Sequence, residues 1–263
     1  MTTQPEPAGD AANLIEAALS PRLAGADRMP FVLGICGAQG SGKSTVAALL
    51  AGRLRAAGRN CAVLSLDDLY LDGARRAALA AAVHPLLRTR GVPGTHDPAL
   101  GLALIAALGR AETVPLPRFD KAADAPGRPE PHHGPAEVVI FEGWCVGARP
   151  QEAAELIAPV NALEREQDAD GVWRRWVNDQ LAGPYRALFG RIDMLVLLAA
   201  PGFEVVAKWR FEQERGAGGP MSEDEVHNFV EYYRRLTQHC LRHGPEWADM
   251  TIRLDAHRQF RSN

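Results

Sequence analysis

Apolar residues in this chain come in short, nearly unbroken runs, separated by longer stretches of amphipathic pattern. Phe31-Val32-Leu33-Gly34-Ile35-Cys36 and Cys61-Ala62-Val63-Leu64-Ser65-Leu66 are two such runs. They are short and do not alternate with polar residues, which predicts strands buried on both faces. The run 138–141 and the run 192–199 read the same way, and 250–254 predicts a last strand. Between the runs the period lengthens. Leu14, Ile15, Ala18 and Leu19 fall on one face of a short helix over 11–19, whereas residues 1–10 predict loose chain. Helices are also predicted over 43–57, 73–82, 99–108, 151–166, 172–189 and 204–215, with Gly183-Pro184 interrupting the fifth of these. Asp97-Pro98 is a start signal for the 99–108 helix. Ser222-Glu223-Asp224-Glu225 resembles a capping box opening a helix to about 242. Residues 84–98 and 111–136 are rich in proline and glycine. The first predicts a loop, the second a structured substrate loop or a mobile lid.

Strands alternating with helices predict an α/β fold of three layers, a mainly parallel five-stranded sheet covered on both faces. The expected division is an N-terminal extension, 1–29, and one domain, 30–263. In such sheets ligands bind beyond the carboxyl ends of the strands. The polar residues just after each strand therefore become the candidate site: the segment after Cys36, then Asp67-Asp68, then Glu142, then the segment after Ala200.

The first of these segments is the most informative. Gly37-Ala38-Gln39-Gly40-Ser41-Gly42-Lys43-Ser44 spells G-x-x-x-x-G-K-S, a P-loop, placed between a predicted strand and a predicted helix. Backbone N–H groups of such a loop and of the first helical turn surround phosphates. Gly37 through Thr45 are thus the candidate nucleotide contacts, with Ser44 also a ligand for Mg²⁺. Lysine usage adds to this. Among 29 Lys and Arg there are three lysines, Lys43, Lys121 and Lys208. A lysine kept in an arginine-rich chain marks a place where a compact ammonium on a flexible stem is needed.

Phosphoryl transfer needs a phosphate cradle, Mg²⁺, a group that activates the acceptor, and positive charge for the transition state. Glu142 ends an apolar strand, where a second carboxylate organising the metal belongs. In Ser65-Leu66-Asp67-Asp68-Leu69-Tyr70 one aspartate accepts the proton of an acceptor hydroxyl, with the other orienting it or capping the turn. Asp67 is the favoured base and Asp68 the orienter. Arg118, Lys121 and Arg128 cluster in one polar loop, and read either as a carboxylate-binding group or as solvated charge. Arg90 and His96 have the same two readings, because Thr95-His96-Asp97 also suits a structural turn.

Composition narrows the partners. Net charge is -3 without a basic block, which argues against nucleic acid as main partner. No apolar stretch approaches 18 residues, so no membrane span is expected. Cys36, Cys61, Cys145 and Cys240 contain no C-x-x-C pair, and the first two read as buried hydrophobes. Together with an N-terminus that lacks a signal pattern, this predicts a cytoplasmic protein. His239 and His243 have the i, i+4 spacing of a metal pair, but no glutamate follows His239, and a solvated helix face is the simpler reading. Trp173, Trp176 and Trp209 read as packing residues.

The P-loop, Ser-x-Asp-Asp-x-Tyr, Arg90-Gly91-Val92-Pro93-Gly94-Thr95-His96-Asp97 and Leu116-Pro117-Arg118-Phe119-Asp120-Lys121 together resemble the superfamily of uridine kinase, phosphoribulokinase and pantothenate kinase. Phe141-Glu142-Gly143-Trp144-Cys145, Trp173-Arg174-Arg175-Trp176, Lys208-Trp209-Arg210-Phe211 and Phe229-Val230-Glu231-Tyr232-Tyr233 resemble its D-glycerate 3-kinase branch. The resemblance runs from about residue 31 to 255. It implies a nucleoside-kinase-like P-loop NTPase with lid elements, ATP as donor, Mg²⁺, and a small hydroxylated acceptor, D-glycerate. Asp67 is then the base, beside Lys43. Asp68, Tyr70, Arg90, His96, Arg118, Phe119, Asp120 and Lys121 form the acceptor wall. The helix after the fourth core strand is a lid that brings Lys208 and Arg210 to the phosphates. A nucleoside, pantothenate or another sugar acid is the alternative acceptor. A nucleotide-dependent switch or metal-delivery GTPase is the alternative class. It usually carries Asn-Lys-x-Asp, and no asparagine here precedes a lysine.

Overall fold

The computed structural model describes residues 7–110, 113–216, 218–219 and 221–260. Helix α1 (Pro7–Ala24) begins earlier than the pattern predicts and packs along α2 (Lys43–Ala56). Ala11, Ala12, Ile15 and Leu19 are its buried face. Residues 7–10, read from the sequence as loose, are thus helical, and 1–6 lie outside the described residues. Between α1 and α2, the first apolar run forms β1 (Phe31–Gly37), buried at every residue. Then follow β2 (Cys61–Ser65), α3 (Gly73–Ala82) and α4 (Pro98–Leu108). Asp97 caps α4, accepting from the Leu100 N–H at 3.0 Å, and Pro98 sits where a missing N–H costs nothing.

The stretch 111–136 holds more order than its composition predicts. Among its described residues, β3 (Val114–Leu116) pairs antiparallel with β6 (Glu130–His132). Between them β4 (Phe119–Asp120) pairs with β5 (Ala125–Pro126). These two-stranded ladders lack the length to show as alternation. Strand β7 (Val138–Gly143) returns to the core, buried throughout.

The helix predicted over 151–166 is a correction. Residues 153–156 form one 3₁₀ turn, and α5 (Ala162–Gln167) starts afresh. Pro159 lacks an N–H and pushes Ala158 away from helical angles, so the pattern is cut. Asn161 then caps α5, accepting from the Glu164 N–H at 2.9 Å. Helices α6 (Val172–Ala182) and α7 (Pro184–Phe189) meet at Gly183, as the glycine-proline pair predicts. Strand β8 (Met194–Ala199) leads to α8 (Glu204–Gly216).

The predicted 222–242 helix is two helices, α9 (Glu223–Glu231) and α10 (Arg234–Trp247). The Ser222 capping box opens α9 as expected. The break falls at Tyr232-Tyr233. Tyr233 is buried, donating from its hydroxyl to the Arg90 carbonyl (3.2 Å) with its ring edge-on to Trp144. Tertiary packing overrides the helical period there. Strand β9 (Met250–Arg253) completes a five-stranded, all-parallel sheet in the order β2-β7-β1-β8-β9. One apolar cluster lies on each face of it. One contains Leu104, Phe141, Tyr185 and Leu197, the other Ile15, Leu50, Ile140 and Trp209.

Candidate active site

The site gathers at the carboxyl ends of β1, β2 and β7. The loop after β1 turns on Gly40 and Gly42, with φ of 73° and 89°, angles that glycine adopts without strain. A Cβ on Gly40 would also lie 2.6 Å from the Trp209 backbone. No side chain caps the N-terminus of α2, so its first amides are free for an anion. Ser41 Oγ and Gln39 Oε1 are buried in the loop without a hydrogen-bond partner. A cradle of free amides and an unpartnered hydroxyl fits a phosphate group. Beside it a cleft of about 370 Å³ is lined by Gly42, Thr45, Leu198, Leu254, His257 and Arg258.

Register places Glu142 of β7 opposite Ile35 of β1 and Ser65 of β2. Ser44, in the first turn of α2, donates to Glu142 Oε1 at 3.0 Å. Glu142 is buried, and its second oxygen has no partner. A buried carboxylate with an unanswered oxygen is costly unless something cationic meets it. A hydroxyl and a carboxylate are the oxygen donors that suit Mg²⁺.

Residues 66–69 make a single 3₁₀ turn after β2, fixed by the Ser65 hydroxyl accepting from the Asp67 N–H at 3.3 Å. The turn sends its two aspartates different ways. Asp67 meets Lys121 Nζ at 2.6 Å and accepts from the Tyr70 hydroxyl at 3.0 Å. Burial pushes its carboxyl up, but Lys121 and Lys43 outweigh burial and hold it well below the usual carboxylate range. Asp68 accepts from Arg118 Nη1 and from the Phe119 N–H, each at 3.0 Å. For Asp68 burial prevails over those contacts and the carboxyl is raised.

Side chains from distant segments complete the wall. Tyr70 stacks on His96, centroids 4.5 Å apart, and meets Phe119 edge-on at 5.2 Å. His96 is buried and shares a 2.6 Å hydrogen bond between Nδ1 and the Tyr185 hydroxyl. Burial lowers its pKa to about 3, so the ring is neutral near pH 7. Arg90 is engaged by Asp124 at 2.5 Å and lies over the Phe119 ring. Arg76, almost fully buried, takes the other Asp124 oxygen. Arg118 is held between Asp68 and Glu130. The Asp120 carboxylate caps its own turn, accepting from the Ala122 and Ala123 N–H groups. Lys121 is more than half exposed, with Asp67 as the ion-pair partner of its ammonium. On α8, Lys208 is exposed and Arg210 pairs with Glu214 at 2.6 Å.

Several of these groups carry no signal in the sequence. Arg76 and Asp124 carry no motif. Arg258 donates to the Gly40 carbonyl at 2.6 Å from near the end of the chain, with its guanidinium over Trp209. Trp144 Nε1 donates to the Gly91 carbonyl, and a Cβ on Gly91 would collide with Tyr233. The two glycines of Arg-Gly-Val-Pro-Gly were the available signal for such close approach.

This sheet order, P-loop and strand-end carboxylate define a P-loop kinase. The chain is 36% identical over 220 residues to the uncharacterized kinase mug58 of Schizosaccharomyces pombe, covering 78% of each chain. It is 31% identical over 228 residues to chloroplastic D-glycerate 3-kinase of Arabidopsis thaliana, covering 80% of this chain and 47% of the plant protein. The solved D-glycerate 3-kinase of Cryptococcus neoformans superposes with a TM-score of 0.76 at 24% identity, covering 97% of both chains, a likeness of fold. No protein-family model matches the chain. The protein belongs to the P-loop kinase family of these relatives, the branch that includes D-glycerate 3-kinase. Among the described residues no helix is long and apolar enough to cross a membrane.

Proposed function

We propose that the protein transfers the γ-phosphoryl group of ATP to the 3-hydroxyl of D-glycerate, giving 3-phosphoglycerate. The observation that carries this reading is the convergence on Asp67. One carboxylate sits against Lys121 at 2.6 Å and within the field of the P-loop Lys43. The base, the phosphate-binding lysine and a half-exposed cation within reach of an acceptor carboxylate thus share one place.

In this reading residues 37–45 hold the triphosphate and Lys43 meets the charge that develops on the transferring group. Ser44 and Glu142 would hold Mg²⁺, which supplies charge neutralisation when bound. Asp67 orients the acceptor hydroxyl and takes its proton. A carboxylate of low basicity suits a loose transition state, in which the acceptor proton leaves late. The acceptor carboxylate goes to Lys121. Arg90 and Arg118 are already tied to Asp124, Asp68 and Glu130, so they fix the wall and steer Lys121. Tyr70 and Tyr233 are buried and present no open stacking face for a nucleobase. The cleft beside Thr45 and Arg258 takes the base of ATP, and α8 closes with Lys208 and Arg210 over the phosphates. The plant relative's name supports D-glycerate as acceptor at 31% identity.

A coupled ADP-release assay across D-glycerate, L-glycerate, uridine, pantothenate and ribulose 5-phosphate tests the reading. D-Glycerate is expected to give the highest kcat/KM. Turnover of uridine with none of D-glycerate would overturn the acceptor and leave the kinase.

A further inference from the structure

A second polar cluster lies on α10, away from the phosphate loop. Arg235, His239 and His243 recur every four residues and so share one helix face. That face is pinned to the segment after β7. Arg235 donates to the Glu155 carbonyl at 2.8 Å and the Ala158 carbonyl at 2.7 Å, and pairs with Glu164 at 2.6 Å. One and two turns further on, the histidines face the Glu155 side chain. One ligand atom each from Glu155, His239 and His243 lies within 4.8 Å of the others.

The solvated reading of this histidine pair fails on burial. His239 is 7% exposed, and neither ring nitrogen has a hydrogen-bond partner. The Arg149 backbone lies near the ring without reaching hydrogen-bond geometry. Trp247 packs on both imidazoles, at 5.3 and 6.4 Å between centroids, and closes off one side. A buried imidazole with two unanswered nitrogens calls for a partner. Two imidazoles and one carboxylate are the ligands of a zinc-class ion, whereas Mg²⁺ and Ca²⁺ take oxygen sets.

We propose that Glu155, His239 and His243 bind one divalent transition ion of the zinc class, which clamps the segment after β7 to α10. Water completes the coordination. The site is independent of the phosphoryl-transfer reading, since none of its three residues belongs to that machinery.

The test is calorimetric titration of ZnCl₂ into tag-free, chelator-treated full-length protein, with MgCl₂ in parallel, followed by thermal unfolding. The expected result is one zinc site that raises the Tm, with no such rise from MgCl₂. Loss of an orienting residue alone costs about 10–100-fold in metal affinity, so Glu155→Gln and His243→Ala should each weaken zinc at least that much. Both side chains are partly exposed, so these variants keep the fold that a change at buried His239 endangers. Glu142→Gln, at the phosphate site, should bind zinc as the wild type does. The proposal falls if the wild type binds no zinc, if Glu155→Gln and His243→Ala bind it as tightly as the wild type, or if Glu142→Gln abolishes binding.

Discussion

In the proposed reading the active site has two sides, built by different means. The nucleotide side is local and made of backbone: nine consecutive residues, two left-handed glycines and an uncapped helix start. The acceptor side is made of side chains that meet from far along the chain. Asp68 and Arg118 are 50 residues apart, Arg76 and Asp124 48, and Tyr233 reaches the Arg90 carbonyl across 143. A backbone cradle serves any triphosphate and tolerates little change. A wall of ion pairs can be re-tuned one residue at a time. Under the proposed function the difference puts specificity on the acceptor side and transition-state charge on the nucleotide side.

Substitutions should separate the two. Lys43→Ala should have the largest effect, a loss in kcat of about 10³-fold or more, the scale seen when a cation is removed from a phosphoryl-transfer transition state. Circular dichroism should show an unchanged fold. Near-wild-type turnover would detach the P-loop from the chemistry.

Asp67→Asn comes next, with kcat falling about 10²–10⁴-fold and the KM for ATP little changed. Asp68→Asn is its comparison, because Asp68 holds the loop after β3 through Arg118 and the Phe119 N–H. A greater fall in kcat for Asp68→Asn than for Asp67→Asn would exchange the two roles.

Lys121→Met should act on the acceptor side, through the acceptor carboxylate and through Asp67, and spare nucleotide binding. Loss of one charge-assisted contact costs about 1.5–3 kcal/mol, or roughly 10- to 150-fold in kcat/KM for D-glycerate. The affinity for a non-hydrolysable ATP analogue should stay within a few-fold. Equal loss of both would mean that the two sides are not separable.

The last effect is one of pH on stability rather than on turnover. His96 sits at about 3 in the fold against an ordinary 6.5. Between those values the unfolded chain holds a proton that the folded chain does not. Stability is therefore lost as pH falls from about 6.5 toward 3, by about 1 kcal/mol per pH unit. Asp67, depressed below the usual carboxylate range, adds a further loss only below its unfolded value near 3.8. Urea unfolding of His96→Gln between pH 7 and 5 should show a shallower dependence than the wild type. Parallel curves for the two would refute the assignment.

The same contrast explains what could be read in the sequence. The P-loop, the five strands and Glu142 at a strand end were legible because each rests on a short apolar run or a contiguous motif. The Asp67-Asp68 pair was legible as a pair, and the 3₁₀ turn that divides them was not. For Arg90 and Arg118 the sequence leaves a ligand-binding and a structural reading open, because it does not reveal that Asp124 and Glu130 come back to meet them. The split at Tyr232-Tyr233 was hidden for the same reason. The helical pattern continues through it, and only the packing of Tyr233 on Gly91 and Trp144 breaks the helix. His239 looked solvated because α10 carries polar residues on the very face that it buries.

The central claim is that this acceptor wall presents the hydroxyl of a small anion to Asp67. Phosphorus NMR of a reaction with ATP, Mg²⁺ and D-glycerate tests it directly. The resonance of 3-phosphoglycerate is expected to grow in step with ADP, and Asp67→Asn to slow both together. ADP appearing with inorganic phosphate in place of phosphoglycerate, or no ADP with D-glycerate while uridine is phosphorylated, would contradict it.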